Sequence, residues 1–255
     1  YLVRDAHHTG VPYGTIDHSR LVRELTLIDG ELVLAEGNVP TAESLLLARA
    51  LMNPTVYNHH VTRICRGMLQ RASERLISET ESSADELRRM DDHDFFAALR
   101  RSDPTEEFAR RLGARDLYKR AVWVELADVP DGVIDADHDR LRQFEEDIAA
   151  DAGVGPESVI IDVLGRPSMT ESSTRVIVNG EIRRLGQQST LVSALQQVQR
   201  EQWRLGVYAP EETTEAVGHA AERVLGLETD GALVSEVRSP GQRTTLDEFG
   251  AQDEE

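Results

Sequence analysis

The sequence predicts an α+β fold: a mainly helical N-terminal part, then a small ferredoxin-like α/β layer, then a disordered acidic tail. Three observations predict it. Apolar residues recur at helical spacing over most of residues 1–113. The period then changes, and residues 118–208 read as strand, helix, strand, strand, helix, strand. From about Thr229 the periodicity is lost and the chain ends acidic. The expected segments are therefore 1–113, 114–228 and 229–255.

Each element has a local cause. Asp17 is a helix cap before Leu21, Val22 and Leu25. LTLIDGELVLAEG reads as a hairpin turning at Asp29-Gly30, a pair suited to a type I′ turn. Thr41 can cap TAESLLLARALMN, and Asn53-Pro54 ends that helix and opens another, running to about Ser78. Further helix starts fall at Ser82 or Ser83, at Asp91 and at Asp103-Pro104, with Gly113 closing the last. LYKRAVWVELADV is strand-like. A helix follows between Asp135 or Asp137 and Gly153, then the β-branched run VIIDVL. TRVIVNGEIRRL is a second hairpin, turning at Asn179-Gly180; Ser189 caps the next helix, VYAP is a short strand, and residues 211–227 form a final helix.

Composition narrows the function. Of 28 Lys plus Arg only Lys119 is Lys, against 46 Asp plus Glu, for a net charge of −18. Such a surface repels phosphate backbones, which argues against general nucleic-acid binding. Abundant acid with almost no Lys fits a halophilic protein, working in salt that screens self-repulsion; a GC-rich genome accounts for the Arg but not the acid. No run of eighteen apolar residues spans a membrane and no leader is visible. Cys65 is alone, which excludes an internal disulfide and fits a cytoplasmic protein.

The His pairs offer little metal chemistry. His93-Asp94 follows Asp91-Asp92 at a helix start, where capping and the helix dipole explain the carboxylates. His7-His8 and His59-His60 are adjacent residues, diverging by about 100° on a helix, without the spacing of a helical zinc site. A different set is more coherent. Tyr1 and Asp5 share one helix face, where an aromatic ring and a carboxylate could hold a sugar. Arg49 sits amid Leu residues and needs a partner: a phosphate, a carboxylate such as Glu43 or Asp5, or water.

YLVRDAHHTGVPYGTID and AESLLLARALMNPTVYNHH resemble the HD-domain phosphohydrolases, specifically the deoxynucleoside triphosphate triphosphohydrolases, over residues 1 to about 120. The resemblance implies that the helical part is the C-terminal portion of an HD-domain fold. It implies that Tyr1 and Asp5 hold the deoxyribose, that Arg49 contacts the triphosphate, and that Tyr57 and Asn58 wall the sugar and base. It places His59, His60, Arg115 and Lys119 at a nucleotide effector site between subunits of a homo-oligomer. The divalent metal of the family (Mn, Mg or another) is held by a His, a His-Asp doublet and a final Asp, all expected upstream of Tyr1. This chain alone is then expected to bind no metal and to turn over no dNTP. A regulatory or assembly module without chemistry, and a phosphohydrolase of another phosphoester, are the alternatives. In the tail, GQRTTLDEFG resembles peptides that dock on the replication sliding clamp, with Leu246 and Phe249 as the anchors.

Overall fold

The computed structural model describes residues 1–14, 16–169 and 173–227. In chain order the elements are α1 Leu2–Thr9, α2 His18–Arg23, β1 Leu25–Ile28, β2 Glu31–Ala35, α3 Val39–Met52, α4 His60–Glu79, α5 Ala84–Leu87, α6 Asp92–Arg101, α7 Glu106–Ala114, β3 Lys119–Glu125, α8 Asp131–Ile134, α9 His138–Ala152, β4 Ile160–Val163, β5 Arg175–Val178, β6 Glu181–Arg184, α10 Leu185–Gln188, α11 Thr190–Glu201, β7 Arg204–Ala209 and α12 Thr214–Leu225. The class is α+β, helices with two small sheets. Among the described residues no helix is long and apolar enough to cross a membrane. Leu246 and Phe249 lie outside the described residues.

The expected caps form where a short side chain reaches its own first turn. Asp17 accepts from the Arg20 N–H at 2.9 Å, Asp91 from Asp94 at 2.8 Å, Asp137 from Arg140 at 2.9 Å and Ser189 from Val192 at 3.1 Å. Ser83 and Glu86 make a reciprocal capping box. Both hairpins turn as expected, Asp29 and Asn179 each at φ 51° with a left-handed glycine after it. Helix limits differ in several places, and the helix expected to start at Asp103-Pro104 begins at Glu106. α3 opens at Val39 rather than after Thr41, with Pro40 in its first turn. α7 ends on Arg115, which takes the left-handed position at φ 58°, rather than on Gly113. The helix expected to open at Pro54 starts at His60. Pro54 has no N–H for the α ladder, so α3 runs on as a π turn over Asn53–Tyr57 that closes with an Asn58 N–H to Asn53 carbonyl bond.

The sheets depart from the four-stranded ferredoxin-like layer. The second hairpin leaves that layer and joins the first: β5 lies parallel to β2, Leu34 opposite Val176, in the order β1-β2-β5-β6. The other sheet keeps three antiparallel strands, β3-β7-β4. Burial is the reason. Val176 and Val178 pack with Leu34, with Ala42 and Leu46 of α3, and with Val192 and Leu195 of α11.

The three-stranded sheet is covered on both faces. Val122, Val124, Ile161 and Val207 meet Phe144 and Ile148 of α9 and Val217 and Ala221 of α12. Ile160, Tyr208 and Tyr118 meet Ile64, Met68 and Ala72 of α4, with Leu99 and Phe108 of α6 and α7. The α4 contact is close: a Cβ at Gly67 would sit 2.9 Å from Ile160 Cγ2.

One buried ion network ties α4 to α9 and the sheet. Arg71 Nη2 donates to Glu145 Oε2 at 2.5 Å and to the Val159 carbonyl at 3.1 Å, and Arg71 Nη1 donates to the Pro156 carbonyl at 2.9 Å. The Ile161 N–H donates to Glu145 Oε1 at 2.8 Å, and Arg142 adds a second guanidinium to the same carboxylate. Burial pushes the Glu145 carboxyl up from its ordinary pKa, and the two guanidiniums pull against that rise.

Candidate functional site

α1 is positioned by Leu2 and Ala6, which bury against Met52 near the end of α3. The loop after α1 must pass close over it: a Cβ at Gly14 would lie 2.3 Å from Ala6 Cβ. On the neighbouring face of α1, Asp5 Oδ2 accepts the Tyr57 hydroxyl at 2.7 Å and Oδ1 accepts Arg4 Nε at 2.7 Å. The rings of Tyr1 and Tyr57 meet edge to face, with centroids 5.9 Å apart. Tyr1, 64% exposed, leaves most of its ring open. Burial, then the bond to Asp5, pushes Tyr57 up to about 12. Arg4, then Tyr57, holds the Asp5 carboxyl below its ordinary range.

A lowered folded-state Asp pKa contributes stability that is present above the unfolded value and lost as pH falls through the folded one. Replacing Tyr57 with Phe should therefore lower stability near neutral pH, and the loss should fade as pH falls through the folded-state Asp5 value. In a double-mutant cycle with Asp5→Ala, urea unfolding should return a favourable coupling. Additive losses would show that the bond contributes nothing.

Beside this cluster lies a cavity of about 520 Å³, between α3, the start of α4, β3 and residues 164–169. Arg49, Asn58, His59 and His60 line it; Tyr1, Asp5, Tyr57, Arg115 and Lys119 do not. His59 caps α4 through Nδ1, which accepts the Val61 N–H at 3.4 Å, and its ring lies 4.3 Å from that of His60. Arg115 holds the left-handed end of α7, and Lys119 pairs with Glu211 at 3.7 Å. The structure thus brings Tyr1, Asp5 and Tyr57 together, sets Arg49 and Asn58 on the adjoining cavity wall, and parts His59 and His60 from the other two effector candidates at that wall.

The cavity also holds residues that sequence reasoning passed over. Arg63, 1% exposed, donates from Nε to Asp162 Oδ2 at 2.6 Å and from Nη2 to the Asp162 carbonyl at 2.9 Å. The Tyr208 hydroxyl donates to the same carboxylate oxygen at 2.9 Å. Burial, then the Asp162 charge, raises the Tyr208 pKa, so it remains a donor. Gly206 stands opposite Asp162 in the β4–β7 register. Its missing side chain leaves the Tyr208 ring its place, since a Cβ there would be 2.5 Å from the Tyr208 hydroxyl. The sequence did carry a signal: the first turn of α4 has no acidic residue and carries His60 and Arg63, against the helix dipole.

Among the described residues no group of three or more His, Cys, Asp or Glu is placed to hold a metal ion. Asp91 near His93-Asp94 is occupied in capping α6, and the His7 and His8 rings meet each other, 5.3 Å apart.

The family described as "HD associated region" matches residues 16–236. An uncharacterized protein of Methanocaldococcus jannaschii is 29% identical over 220 residues, 83% of this chain and 48% of that protein. An uncharacterized protein of Bacillus subtilis is 38% identical over 63 residues, 25% of this chain and 14% of that one. The crystal structure of a hypothetical protein from Aquifex aeolicus superposes with TM-score 0.61 at 21% identity, over 86% of this chain and 55% of its own. That of a phosphohydrolase from Bacteroides thetaiotaomicron gives 0.56 at 20%, over 83% and 60%. The chain therefore spans about half the length of the Methanocaldococcus relative and of the Aquifex structure. With a family match over most of its length and these two folds beside it, the chain belongs to the HD associated region family and has an HD-domain phosphohydrolase-like fold.

Proposed function

We propose that this chain is the nucleotide-gripping part of an HD-type phosphohydrolase that splits a dNTP into deoxynucleoside and triphosphate. The observation that carries the reading is the Asp5–Tyr57 bond at 2.7 Å under the exposed ring of Tyr1, on a helix packed against the one that bears Arg49. In this reading Tyr1 packs on the sugar, and Asp5, its Oδ2 fixed by Tyr57, accepts from a sugar hydroxyl. Arg49 meets the phosphates with a planar guanidinium suited to bidentate bonds, and Asn58 beside it serves the base. The divalent metal belongs in this proposal to the longer protein; among the described residues no group of three or more His, Cys, Asp or Glu is placed to hold one. Subunit pairing with a nucleotide effector at His59, His60, Arg115 and Lys119, a cytoplasmic location, and clamp docking by Leu246 and Phe249 extend the same proposal.

Calorimetric titration of the 255-residue chain with dATP tests it. The wild type should bind. Arg49→Ala should weaken binding about tenfold, the value of one charge-assisted hydrogen bond. Tyr1→Ala and Asp5→Asn should weaken dATP but leave inorganic tripolyphosphate unaffected. Equal dATP affinity in all four proteins would overturn the reading.

A further inference from the structure

The protein carries a net charge of −18, yet among the described residues the cavity beside Arg49 has no acidic residue in its wall. Five arginines line it: Arg49, Arg63, Arg120, Arg166 and Arg204. Several are held from behind by carboxylates outside the wall. Asp162 holds Arg63 at 2.6 Å, Asp131 and Asp135 hold Arg166 at 2.7 and 2.8 Å, and Glu125 holds Arg204 at 2.6 Å. Each guanidinium has five N–H donors, so these bonds fix its place and leave donors for a ligand. The start of α4 adds its backbone N–H groups and positive dipole end.

The two tryptophans of the chain, Trp123 and Trp203, both line the cavity. Arg63 lies over the Trp123 ring at 4.8 Å and Arg120 at 5.7 Å. Trp203 is buried, its Nε1 donating to the Leu164 carbonyl at 2.9 Å. Trp123 thus sits against two guanidiniums, and Trp203 lies in the core.

We propose that this cavity is an anion site for a phosphate chain, sharing Arg49 with the proposed nucleotide grip but not lined by Tyr1, Asp5 or Tyr57, and indifferent to the base the chain carries. Free polyphosphate and the tail of a nucleoside triphosphate share that chemistry. A volume of about 520 Å³ lies within the range of small-molecule pockets. The inference stands whether or not the sugar cluster holds a deoxynucleotide.

Because both tryptophans are at the cavity, their emission reports on it. Inorganic tripolyphosphate added to the full chain should change that emission saturably, and dATP should compete for the same site. Deoxyadenosine should give no change. Arg120→Gln and Arg166→Gln, at partly exposed positions, should each weaken tripolyphosphate about tenfold, with circular dichroism showing each variant folded. Asp5→Asn should leave tripolyphosphate binding unchanged, which separates this result from the dATP test. The proposal is overturned by any of three results: no saturable change in the wild type, equal affinity in both Arg variants, or loss of tripolyphosphate binding in Asp5→Asn.

Discussion

Replacing Glu145 with Ala is expected to cost the protein about 3–5 kcal/mol, read as a lower urea midpoint. The carboxylate is 2% exposed and accepts from Arg71, from Arg142 and from the Ile161 N–H. Its removal strands a guanidinium between α4 and α9 and opens a backbone donor in β4. Most of the loss comes from the partners left unpaired rather than from the attraction removed. Glu145→Gln, which keeps an acceptor for Ile161, should lose less. The double variant Arg71→Met, Glu145→Leu should be close to neutral, since neither charge then remains buried. A double variant as unstable as Glu145→Ala would show that packing, not the stranded charge, sets the loss.

Asp162→Ala should be about as damaging, again about 3–5 kcal/mol, for a related reason. It leaves Arg63 buried without its carboxylate and takes the acceptor from the Tyr208 hydroxyl. This change has a second readout. Arg63 lies over Trp123, so the emission of that ring should shift even at temperatures where the variant is fully folded. If tripolyphosphate binds in the cavity, Asp162→Ala should also alter its affinity, because Arg63 loses the bonds that aim it. Unchanged stability and unchanged emission together would show that Arg63 is hydrated in solution.

What could be read along the chain was whatever depends on neighbours within a few residues. Asp17, Ser83, Asp91, Asp137 and Ser189 cap their helices because a short polar side chain reaches an N–H two or three residues on. Asp29-Gly30 and Asn179-Gly180 turn because both residues tolerate positive φ. Helix ends were less legible where two local rules compete. Pro54 suits a helix start, but it also lets the preceding helix widen by one residue, and the packing of Tyr57 against Asp5 favoured the second outcome. Arg115 takes a conformation for which Gly113 was the better local candidate, because α7 runs two residues further and closes through the Arg115 N–H to Leu112 carbonyl and Asp116 N–H to Arg111 carbonyl bonds.

The candidate site divides along the same line. Tyr1 and Asp5 were legible as a pair, four apart on one helix; their union with Tyr57 was not derivable from spacing and came only from resemblance. Arg63 drew no notice because an Arg in a polar helix start is ordinary until its burial is known. Arg166 and Arg204 sit in stretches with no motif at all.

By itself the sequence determined the α+β class, the two hairpins, the helix caps and the acidic surface. All of these follow from local bonding and composition. Only the tertiary structure decided that the hairpins pair with each other, that Asp162 meets Arg63, and that Gly206 leaves the Tyr208 ring its place. It also decided that five arginines from distant segments line one cavity. Those outcomes depend on which apolar faces bury each other and in which register, and that choice is made by the whole chain at once.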